Sequence, residues 1–69
     1  MVFEEGKTFI GQVDNKNYTC QGIILPGLYK TERGGIRKIT KALVKFKCEN
    51  GVVVEIPLLT AKHLLLKEM

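Results

Sequence analysis

Serine is missing from this chain, and histidine occurs once, as His63. A serine nucleophile is therefore excluded, and neither Cys20 nor Cys48 has a base close to it in sequence. The acidic residues are scattered. Glu4-Glu5 is their one adjacent pair, and it sits at a terminus where side chains are solvated. One histidine and two cysteines outside any CxxC spacing cannot complete a zinc site, and no carboxylate cluster suits a harder cation. The glycines form neither a GxGxxG nor a P-loop; Gly34-Gly35 lacks the strand-to-helix context that phosphate-cradling loops need. The expectation is a protein that is not an enzyme and that carries no cofactor or metal.

Long apolar runs are also missing. Runs such as Gly22 to Leu25 and Leu64 to Leu66 are far too short to cross a bilayer, and the N-terminus opens with Glu4 and Glu5 where a signal peptide would be basic. A soluble, cytoplasmic protein is expected, with Cys20 and Cys48 as free thiols; the alternative, a bridge between them, is favoured only if the chain is secreted. With 69 residues the chain is one domain, near the size at which burial only just offsets chain entropy, so self-association would help it. Its 45% hydrophobic content and charge of both signs are those of a folded unit.

What is present is a concentration of positive charge. Lys30, Arg33, Arg37, Lys38, Lys41, Lys45 and Lys47 stand against Glu32 alone, a local net of +6, while the segments before and after each net −1. Such asymmetry argues for long-range attraction to phosphate or carboxylate surfaces.

Turn residues divide a chain rich in β-branched side chains. Asp14 to Asn17 separates Lys7–Val13 from Tyr18–Leu25, which reads as a hairpin. Pro26-Gly27 ends the second strand, and Leu28 to Gly35 reads as an exposed, flexible loop. From Ile36 to Lys47 two periodicities compete. Ile36, Ile39, Leu43 and Phe46 keep helical spacing, whereas Ala42, Val44, Phe46 and Cys48 alternate as in a strand. As a helix the segment would lack a strong N-cap and would set Arg37 and Lys38 against the positive end of its dipole. Register also favours a strand. A Glu49-Asn50-Gly51 loop with Gly51 left-handed pairs Cys48 with Val52, Phe46 with Val54, Val44 with Ile56 and Ala42 with Leu58, all apolar. The opposite face then brings Lys45 against Glu55 and Lys47 against Val53. One bent strand followed by a bulged hairpin is expected.

Pro57 marks the end of that strand or an edge, Thr60 is a fair N-cap, Ala61 to Leu64 makes one helical turn, and Leu65 and Leu66 cap the barrel or add a last strand. The order and length of these elements suit a small antiparallel β-barrel, SH3-like rather than OB-like, over residues 1–69. Phe9, Tyr18 and Phe46 fall on inward faces; Phe3 is too near the terminus to place.

Nucleic-acid binding, to RNA or DNA, is the function this arrangement favours. Small barrels bind strands with basic surfaces and aromatic platforms, and Tyr29 lies beside Lys30 and close to Arg33. On the strand reading Lys45 and Lys47 project outward, in line with Arg37 and Lys38 if the bent strand runs on, making one basic stripe beside the loop; Lys41 belongs to the same candidate site. Arg33-Gly34-Gly35 resembles a single unit of the RGG repeats of RNA-binding proteins, which act in multiple copies. The bland alternative is that outward lysines only keep strand edges soluble. The functional alternative is a protein-binding module or inhibitor that docks on an acidic protein surface or self-assembles through its Leu-rich end. A membrane-surface role depends on the helical reading and falls with it.

Overall fold

The structure, a computed structural model, describes residues 2–68, with side chains through Leu64. The elements are β1 Thr8–Gly11, β2 Asn17–Ile24, β3 Gly27–Lys30, β4 Ile36–Ile39, β5 Leu43–Cys48, β6 Val53–Pro57, α1 Leu58–Leu64 and β7 Leu65–Glu68. They form a five-stranded antiparallel sheet in the order β6-β5-β2-β1-β7 and a separate two-stranded sheet, β3-β4. The fold is mainly β, with one short helix near the C-terminus. No helix among the described residues is long and apolar enough to cross a membrane.

The β1–β2 hairpin turns where the Asp14–Asn17 cluster predicts. Asp14 Oδ1 accepts the Lys16 N–H at 3.1 Å, Asn15 is left-handed (φ 57°), and the Gly11 N–H reaches the Lys16 carbonyl at 2.9 Å. The Tyr18 hydroxyl donates to the other Asp14 oxygen. That bond pushes the Tyr18 hydroxyl up to about 12 and holds the Asp14 carboxyl below its usual value. β2 pairs with β1 on one side and β5 on the other, and its register to β5 shifts between Cys20 and Gly22. Gly22 supplies the φ of 126° that this bulge requires.

The β5–β6 hairpin has the expected register: Val44 faces Ile56, Phe46 faces Val54, Lys45 faces Glu55 and Lys47 faces Val53. Gly51 is left-handed (φ 86°) and donates to the Cys48 carbonyl at 3.0 Å, while the Cys48 N–H reaches Val52 at 2.8 Å. The pairing continues past Pro57, where the Leu58 N–H meets the Ala42 carbonyl at 2.9 Å.

Phe9, Phe46, Val44, Cys20 and Ala61 are essentially solvent-free and form the core with Phe3. Phe3, unplaced from sequence, packs with ring centroids 5.0 Å from Phe9 and 5.8 Å from Phe46. Tyr18 meets Phe46 edge-on at 6.2 Å. Cys20 is buried and Cys48 half-buried, and both are free thiols.

Four expectations need correction. Leu28 to Gly35 is no loose loop: β3 and β4 pair from Gly27–Ile39 to Lys30–Ile36, and the Thr31 N–H to Gly35 carbonyl bond (2.9 Å) closes the turn, reinforced by Gly35 N–H to Thr31 Oγ1 (3.0 Å). Ile36 to Lys47 is two strands in different sheets, interrupted at residues 40–42. The helix starts at Leu58, so Thr60 lies inside it and is no N-cap. The sheet is also not a closed barrel. β6 and β7 are its edges, and α1, with Ala61 in the core, packs against β5, β6 and β7 and joins those edges where a ladder would otherwise close. The backbone of Leu65 and Leu66 belongs to β7; their side chains lie outside the described residues.

Candidate nucleic-acid interface

β3 and β4 make an arm between β2 and β5. Every residue from Leu25 to Lys38 is exposed, and Ile39 alone, at the base of the arm, is buried. In an antiparallel pair, residues directly opposite share a face. Leu28 faces Lys38 and Lys30 faces Ile36, so these four form one face; Tyr29 faces Arg37 and Gly27 faces Ile39, which form the other.

The second face is the inner one, turned to the body. Ile39 lines a cleft with Leu43 and Pro57, and Arg37 reaches across to β6 and clasps Glu55 with both arms of its guanidinium, Nη1 to Oε2 at 3.1 Å and Nη2 to Oε1 at 2.5 Å. The Arg37 hydrogen bonds hold the Glu55 carboxyl below its usual value, and the nearby Lys45 charge adds to this. The same bonds raise Arg37.

The sequence-derived site is thus partly assembled and partly divided. Lys30, Arg33, Lys38 and Lys41 lie in or at the base of the arm and have no ion-pair partner among the described residues. Lys38 and Lys41 line the cleft of about 310 Å³ beside Arg37, Ile39 and Thr40. Arg37 is present but neutralised by Glu55, a contact that sequence reasoning missed because the two lie 18 positions apart and in different sheets. Lys45 and Lys47 project from the large sheet, Lys45 in register with Gly22 and Glu55, Lys47 with Thr19 and Val53. They do not continue β4, so the single stripe expected from one bent strand is broken at residues 40–42.

Tyr29 lies on the face opposite Lys30, its hydroxyl donates to the Leu25 carbonyl at 2.5 Å, and its ring stands 3.8 Å from where a Cβ on Gly27 would be. Leu28 and Ile36, 70% and 74% exposed, occupy the outer face. A broader concavity of about 720 Å³ lies on the large sheet, but there Lys7 and Lys47 are offset by Glu49 among Thr8, Asn17 and Thr19, and it lacks the arm's charge excess.

No known protein family, curated protein or solved structure matches this chain.

Proposed function

We propose that this chain is a small non-enzymatic nucleic-acid-binding protein that holds the phosphate backbone with its β3–β4 arm. The observation that carries the reading is the arm itself: every residue from Leu25 to Lys38 is exposed, and Lys30, Arg33, Lys38 and Lys41, in it or at its base, have no ion-pair partner among the described residues. A two-stranded ribbon with so little burial contributes little stability of its own, so its composition is free to serve a ligand. Lys45 and Lys47 add charge on the adjoining sheet. For the fold, the β2-β5-β6 meander and the return through α1 to β7, which pairs with β1, support reading the body as an SH3-like, partly open barrel with the arm inserted, in preference to an OB-like one. The free Cys20 and Cys48 suit a reducing compartment such as the cytoplasm.

Fluorescence anisotropy with labelled nucleic acids at roughly 50 and 200 mM salt tests the reading. With about four phosphate contacts, affinity should fall on the order of a hundredfold between those conditions. Replacing Arg33, Lys38 and Lys41 together by Ala should abolish most binding and leave the melting temperature in place. Binding that ignores salt, or none at all, sinks the proposal.

A second reading, docking on an acidic protein, is favoured by Leu28 and Ile36 standing exposed beside Lys30 and Lys38. Self-association belongs with it, since Val53 and Leu59, at and beside the β6 edge, are also exposed. A sedimentation mass fixed at 7.8 kDa across concentrations would exclude self-association.

A further inference from the structure

We infer that the ligand of the arm is B-form duplex DNA, received in the major groove against the arm's outer face; this rests on the nucleic-acid reading above. The dimensions come first. Each strand of the arm has four residues, which at about 3.3 Å per residue gives a ribbon roughly 13 Å long with backbones about 4.8 Å apart. A major groove about 12 Å wide admits such a ribbon. The A-form major groove of double-stranded RNA is too deep and narrow for side chains to read.

Chemistry selects the face. Leu28, Lys30, Ile36 and Lys38 share the face opposite the one that carries the buried Ile39 and the Arg37–Glu55 clasp, and Lys38, nearest the base, also borders the cleft beside Arg37. Each cross-strand pair on the outer face sets one ammonium donor beside one apolar group: Lys38 beside Leu28, Lys30 beside Ile36. The major groove offers the complement of that pattern. Guanine O6 and N7 accept hydrogen bonds from lysine, and thymine methyl groups take apolar contact. Arg33 in the turn and Lys41 at the base are then placed at the two ends of the ribbon, where phosphates flank the groove.

A single strand is the poorer fit. Proteins that hold single strands offer outward aromatic rings to the bases, and the outer face has none. The one aromatic of the arm, Tyr29, is on the inner face with its hydroxyl bonded to Leu25. Among nucleic acids, Leu28 and Ile36 favour one that offers an apolar feature within a groove, since a bare phosphate chain would leave them in water.

The test uses the full chain and three probes of equal length: duplex DNA, duplex RNA and single-stranded DNA. Duplex DNA should bind at least tenfold more tightly than either of the others. In that complex, guanine N7 atoms in the bound region should be protected from methylation by dimethyl sulfate. The double substitution Lys30→Ala and Lys38→Ala should reduce duplex affinity more than tenfold and remove the protection, with the melting temperature unchanged. Equal or tighter binding to duplex RNA or to single strands overturns the groove inference and leaves the nucleic-acid reading standing. Tight duplex binding with fully reactive guanine N7 overturns the major-groove placement alone. Binding to none of the three probes removes both proposals.

Discussion

In the five-stranded sheet Phe9, Val44 and Phe46 have no exposed surface at all, whereas in β3–β4 every residue but Ile39 is exposed. The two sheets obey the same ladder geometry, yet different forces hold them. Burying each large side chain of the body is worth about 1.5 to 3 kcal/mol. The arm has its own backbone bonds, one buried side chain at its base and one surface ion pair. An isolated two-stranded hairpin is marginal in water, so the arm depends on the body and not the reverse.

The largest effect expected follows from that dependence. Phe46→Ala removes the ring that Phe3, Phe9 and Tyr18 all pack against and should cost about 3 to 5 kcal/mol, a large share of what so small a domain has. Excising the arm should cost far less. Ile24 lies directly opposite Leu43, so β2 and β5 already form the two sides of a hairpin, and residues 26–41 can be replaced by an Asn-Gly turn. Denaturant melts of the two variants check the contrast. An excision variant that unfolds as readily as Phe46→Ala would show that the arm is part of the core.

The same difference explains what was legible in the sequence. In β5–β6 one face is buried, so a slip of register would set Lys45 and Lys47 among Val54 and Ile56; that penalty made the pairing readable, and the need for a left-handed residue at Gly51 located the turn. In the arm neither face is buried along most of its length. Leu28, Tyr29, Lys30 and then Ile36, Arg37, Lys38 carry no contrast between faces, and the segment reads as loop because hydrophobic alternation reports burial and not strand geometry. The break at residues 40–42 was hidden for the opposite reason, as Ile39 is buried and Leu43 half-buried, so that the two read as one continuous apolar pattern. All of the candidate cations were visible as a charge cluster, but the division of Tyr29 from Lys30 and the loss of Arg37 to Glu55 depend on tertiary placement.

Next in size is the clasp between the two regions. Glu55→Gln removes a negative charge beside the arm and leaves the Arg37 charge uncompensated. Affinity for duplex DNA should rise several-fold, and its dependence on salt should steepen. Amide exchange in β3 and β4 should quicken while that of β2 and β5 stays put. The linkage to pH has a definite sign. Because Arg37 lowers the folded value of Glu55 below the usual 4.5, the clasp's contribution is complete at neutral pH and is lost as pH falls through that depressed value. Acidification should therefore loosen the arm before it melts the body, and Glu55→Gln should erase that early transition. Simultaneous loss of protection in both sheets would mean that the clasp does not govern the arm.

The smallest effect belongs to the far end of the body and tests whether its polar contacts are as local as those of the arm. Tyr18 is raised to about 12 from a usual 10, with its hydrogen bond to Asp14 the larger cause and burial the second. A raised value means that the bond stabilises the fold fully below pH 10 and that this contribution is lost as pH climbs through about 12. In a Tyr29→Phe background Tyr18 is the chain's remaining tyrosine, and tyrosinate absorbance follows it alone. Asp14→Asn takes away the charged acceptor and should bring the midpoint most of the way back toward 10. A midpoint still near 12 would assign the shift to packing against Phe46, making the β1–β2 turn an extension of the core and not a separately held surface feature like the arm.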